Sequence, residues 1–109
     1  MNDLKKIKEL LKSMMPGEPV PEGVWETRDK RRIHIVDMTD KHLVNTLLYL
    51  KRRVKGVIVK LQLNAIDSSM LKRWRKFIPK DLKIKFDLME AEAIKRGFTD
   101  WESKHPIRE

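Results

Sequence analysis

Leu43, Leu47, Leu50 and Val54 recur at spacings of four, three and four, with Val44 and Leu48 alongside. No other feature constrains the chain as strongly. Apolar residues three and four apart share one face of an α-helix, so the spacing predicts a long amphipathic helix that must bury its stripe against a second layer. Thr39 is the best cap, because its hydroxyl can accept a free backbone N–H, and Asp40 complements the positive end of the helix dipole. Lys51, Arg52 and Arg53 lie toward the carbonyl end, where cations are favourable, and Gly56 marks the expected stop.

The segments on either side supply what that stripe can pack against. Leu4, Ile7, Leu11 and Met14, with Leu10 and Met15, predict an amphipathic N-terminal helix over 1–15, capped by Asn2 or Asp3. Pro16 ends it, and the Pro/Gly-rich residues 16–23 read as an extended linker. The helix either packs on the body or serves as a detachable arm. Val24–Arg28 and Arg32–Val36 alternate around a turn at Asp29-Lys30-Arg31, which predicts a hairpin. Trp25, Ile33 and Ile35 share its buried face, and Arg32 and His34 point away.

Val57, Val59, Leu61 and Leu63 alternate and predict a third strand, with a helical continuation as the alternative. Asp67 or Ser68 can cap a helix running through Ile78. Met70, Leu71, Trp74, Phe77 and Ile78 lie on one arc of it, and Lys72, Arg73, Arg75 and Lys76 on the other. Pro79 separates that helix from a last one at 81–96, which buries Leu82, Phe86, Met89 and Ala93. Gly97 suits the left-handed position beyond its end. Phe98 and Trp101 can fold back as anchors. The expected fold is a single α+β domain over 24–98, a small hairpin, or that hairpin with a third strand, on three main helices, with 99–109 as a tail. At 109 residues, the chain is one domain's worth of protein.

Charge points to the partner class. Lys and Arg number 25 against 16 Asp and Glu, a net of +9. Residues 51–85 hold twelve of the cations against only Asp67 and Asp81, so this third of the chain carries +10 and the remainder −1. Such a concentration suits a polyanion, DNA or RNA. The absence of cysteine excludes disulfides, thiol chemistry and thiolate zinc sites. No apolar run is long enough to span a membrane and no signal-peptide core is present, so the expected setting is cytoplasmic, without a membrane partner.

Phosphate neutralisation falls to Arg52, Arg53, Lys72, Arg73, Arg75 and Lys76. Tyr49 and His42 orient the contact, as members of the polar stripe His42, Asn45, Tyr49 and Arg52. His42 has a competing structural role, tying the hairpin region to the helix. Trp25 and Trp74 sit among apolar neighbours and read as core rather than stacking platforms. Asp87, Glu90 and Glu92 on the last helix would repel a DNA groove, which argues against a helix-turn-helix. Asp37 and His42 form an Asp–His fragment, but no nucleophile accompanies it. His34, His42 and His105 lie on separate elements without metal-ligand spacing, and there is no glycine-rich phosphate loop. The expected protein is therefore non-enzymatic, with no cofactor and no metal. The competing function is a protein-binding inhibitor or regulator of a host factor, docking through the first helix or capturing a small anionic nucleotide.

The series Trp25, Thr27-Arg28-Asp29, Ile33-His34-Ile35, Asp37-Met38, His42-Leu43 and Asn45 resembles a pattern in small proteins of unassigned function encoded by bacteriophages and other mobile elements. Glu90-Ala91-Glu92-Ala93-Ile94-Lys95-Arg96-Gly97-Phe98 resembles the closing helix of the same family, and the two pieces cover about a third of the chain. The resemblance implies mobile-element ancestry and an accessory role in the host cytoplasm, with no assigned reaction. Lys30 departs from the pattern, standing where the family tends to have glycine. Either the turn differs in type, or Lys30 carries a left-handed strain of about 1 kcal/mol.

Overall fold

The leucine repeat folds as one helix, α1 (Asp40–Leu61), in a computed structural model that describes residues 9–12, 20–27, 29–61 and 71–103. Thr39 caps it: its hydroxyl accepts from the His42 N–H at 3.1 Å, and its carbonyl takes the first helical bond, from Leu43 N–H, at 2.9 Å. The helix does not stop at Gly56. It continues to Leu61, through most of the segment expected to be a third strand, whose last residues Gln62 and Leu63 lie outside the described residues. Among the described residues the sheet has two strands only. The reason is geometric. Val57 and Ile58 extend the buried stripe of Leu50 and Val54, whereas the alternating pattern would also require Val59 inside, and Val59 is 41% exposed. Gly56 lies on the outer face, with open space where a Cβ would stand. Gly56→Ala should therefore raise stability by about 0.5–1 kcal/mol in urea unfolding, the helix-interior difference between the two residues; a loss of stability would count against a continuous helix here.

Strands β1 (Val24–Glu26) and β2 (Arg32–His34) pair antiparallel, Trp25 opposite Ile33. Both side chains pack against the core, as the alternation predicts. The second strand ends two residues early, because Ile35–Asp37 forms a 3-10 turn that still buries Ile35. In the hairpin loop, Lys30 N–H donates to the Thr27 carbonyl at 2.9 Å, and Thr27 N–H donates to the Arg31 carbonyl at 2.8 Å. Lys30 itself sits at φ 64°, so it carries the left-handed strain that glycine avoids.

The second long helix, α2 (Lys80–Lys95), buries Leu82, Phe86, Met89 and Ala93. It ends in a left-handed cap. Gly97, at φ 97°, donates to the Ile94 carbonyl at 3.0 Å, and Phe98 N–H reaches back to the Ala93 carbonyl at 2.9 Å. Arg96 then fastens the start of α1, donating to the carbonyls of Met38 at 2.6 Å and Val36 at 3.0 Å. Lys85 does the same for the hairpin. Its buried ammonium donates to the carbonyls of Val24 at 2.7 Å, Pro21 at 2.9 Å and Val20 at 3.4 Å, three acceptors for three N–H groups. Burial pushes its pKa below the usual lysine value, and the Glu22 carboxylate works in the opposite direction.

The helix expected through Ile78 is described only from residue 71. It is helical at 71–72, turns at Arg73, and becomes a 3-10 turn over Trp74–Phe77. Its expected caps Asp67 and Ser68, and Met70, lie outside the described residues. Pro79 gives the physical cause of the early end: a residue before proline is driven out of the helical region, and Ile78 has ψ 127°. Trp74 and Phe77 still face inward. Trp74, Phe86 and Trp101 meet edge to face, with ring centroids 5.5–6.5 Å apart. The body thus reaches Trp101–Ser103, past the expected boundary at 98. Leu11, in the helical residues 9–12, is fully buried in the same core, so this part of the N-terminal helix packs on the body.

Candidate nucleic-acid interface

The outer face of α1 is set by what its inner face buries. Tyr49, 38% exposed, stands one helical turn before Arg52 and Arg53, and all three project outward. Asp40 is the only acidic residue on α1, against six Lys and Arg. Lys51 turns aside and donates to the Glu102 carbonyl at 3.1 Å.

His42 belongs to a different place. It is ten residues, about 15 Å of helix rise, from Arg52. With Asn45, Lys41, Thr39 and the hairpin-loop residues Thr27, Asp29 and Arg31 it lines an open groove of about 700 Å³. His42 is half-buried, and its backbone is held at both ends: the N–H by Thr39, and the carbonyl by the Thr46 hydroxyl at 2.7 Å. No hydrogen bond joins its ring to Asp37, which is exposed in the preceding turn, so the Asp–His fragment is not assembled among the described residues.

Lys72, Arg73 and Lys76 are exposed on the short segment that packs against α1. Arg75, placed with them by the sequence, is withdrawn from that set. Its guanidinium makes a bidentate pair with Glu90, at 2.7 and 2.6 Å, and reaches Glu102 from Nε at 3.2 Å and from its second terminal nitrogen. It also lies 5.2–5.7 Å from the ring centroids of Trp74, Phe86 and Trp101. The two carboxylates hold its pKa above even the usual arginine value. An arginine so engaged cannot meet a phosphate without breaking that pair. No local pattern reveals this, because its partners are 15 and 27 residues away.

The same accounting separates the remaining charges. Glu26 pairs with Arg32, Asp29 with Arg31, Asp87 with Lys83, and Asp40 and Glu92 with Arg96. The side chains of Arg52, Arg53, Lys72, Arg73 and Lys76 make no hydrogen bond or ion pair among the described residues. The structure gathers them into two groups, one along the outer face of α1 and one on the adjoining segment. Among the described residues no helix is long and apolar enough to cross a membrane. No protein-family model, curated protein or solved structure matches the chain.

Proposed function

We propose that the protein is a non-enzymatic accessory protein of phage or mobile-element type that binds nucleic acid through Arg52, Arg53, Lys72, Arg73 and Lys76, with Tyr49 beside the contact. The observation that carries this reading is the division of charge. The described carboxylates of the body largely neutralise arginines and lysines that hold the fold, and these five are among the exposed cations that no carboxylate neutralises, grouped on α1 and on the segment packed against it. A phosphate backbone gains affinity from such cations by releasing its own condensed counterions. His42 is not part of the contact in this reading. Its distance from Arg52 assigns it to the groove at the hairpin end. The competing reading, docking by a released first helix, is disfavoured by Leu11, because releasing it would open the core.

Fluorescence-anisotropy titration against labelled duplex DNA, single-stranded DNA and RNA, at several salt concentrations, tests the proposal. With five phosphates engaged, log affinity for duplex DNA should fall against log salt with a slope of about −4 to −5. The double variant Arg73→Glu and Lys76→Glu should abolish binding at physiological salt while leaving the thermal midpoint near that of the parent, since both side chains are exposed. Binding that is unchanged in that variant, or lost for the parent at physiological salt with every nucleic acid, overturns the assignment.

A further inference from the structure

We propose that the outer face of α2 is a docking surface for a second copy of the chain, joined as an antiparallel pair of helices about a twofold axis at Leu88. Asp81, Ile84, Leu88, Ala91 and Lys95 are spaced three, four, three and four, and so form one stripe along the helix. Ile84 is 43% exposed, Leu88 half-buried, and Asp81, Ala91 and Lys95 exposed. The middle of the stripe is apolar and its ends carry opposite charges. Neither Asp81 nor Lys95 has an ion-pair partner among the described residues.

That pattern is self-complementary in one orientation. Laid antiparallel, Leu88 meets its own copy, Ile84 meets the partner's Ala91, and Asp81 meets the partner's Lys95 at both ends. Laid parallel, like charges meet at each end and the two helix dipoles align, which is unfavourable on both counts. The charge of the whole chain, +9, opposes self-association over most of its surface. This stripe carries one Asp and one Lys, Asp81 and Lys95, and so adds no net charge of its own to that repulsion. Because α1 and α2 pack against each other, their outer faces lie on opposite sides, and pairing through α2 leaves Arg52 and Arg53 clear. A contact of two short helices lies at the small end of specific interfaces, so the dissociation constant should be on the order of tens of micromolar.

Sedimentation equilibrium of the full chain from micromolar to about 1 mM should show a reversible monomer–dimer equilibrium. Asp81→Lys should weaken it at least about tenfold by setting lysine against the partner's Lys95, and adding Lys95→Asp should restore it. Because the chain has no cysteine, single-cysteine variants report the orientation directly. Leu88→Cys should cross-link to its own copy on mild oxidation. Asp81→Cys should not, since the two copies of that position stand about 21 Å apart along the pair. A monomer across the whole range, a dimer indifferent to the charge swap, or preferential cross-linking at position 81 overturns the proposal.

Discussion

Trp101→Ala should destabilise the protein by about 3–5 kcal/mol, the range for truncating a large buried aromatic. Trp101 is 1% exposed, and its ring meets Trp74 at 6.5 Å and Phe86 at 5.9 Å between centroids. Its indole N–H donates to Glu90 at 3.0 Å. Truncation would open a cavity between the two remaining rings and remove a donor from the carboxylate that holds Arg75. Against a stability of about 5–15 kcal/mol for a domain of this kind, a loss of that size is a large fraction of the whole. Urea unfolding followed by circular dichroism measures it. Trp101→Phe, which keeps a ring but no N–H, should retain much of the stability. A loss below about 1 kcal/mol for Trp101→Ala would mean that the segment after α2 contributes little to the core.

The sequence made the elements legible wherever their cause is local. Thr39 as a cap, the leucine face of α1, the Trp25–Ile33 pairing and the left-handed Gly97 each depend on residues within a few positions of one another. The third strand failed for a specific reason: Val57, Val59 and Leu61 satisfy a period of two, while Val57 and Ile58 continue the period of the helix before them. Over so short an apolar run the two periods cannot be told apart, and the preceding helix decides. The 71–78 segment failed through Pro79, whose effect reaches back to Ile78 and closes the helix early. For the candidate interface, composition identified the basic segment but not which of its cations are occupied. Arg75 and Lys72 look alike in the sequence. Only the folding of Glu90 and Glu102 onto Arg75 distinguishes a structural arginine from exposed lysines on the same short segment, and that pairing spans α2 and the turn beyond it.

The Arg75–Glu90 pair gives the second large effect, in acid. Two hydrogen bonds from Arg75 are the main cause that holds the Glu90 carboxyl below its usual value of 4.5; its positive charge and the Trp101 N–H add to them, and burial works the other way. The unfolded chain therefore takes up a proton at Glu90 before the folded chain does. The resulting stabilisation is complete above about pH 4.5 and disappears as the pH falls through the lower folded value. Glu90→Gln should cost about 1–3 kcal/mol at pH 7, because Arg75 loses its bidentate partner. The cost should fall toward the lower end to the extent that Glu102 and solvent compensate. The same variant should also lose less stability than the parent between pH 5 and pH 3. Urea unfolding of both proteins at several pH values isolates the effect of the Arg75 cluster, since carboxylates away from Arg75 cancel in the difference and only Glu102 shares its guanidinium with Glu90. Parallel pH profiles would show that Glu90 is not ionically coupled to the fold, and Arg75 would then return to the set of cations free to meet a phosphate.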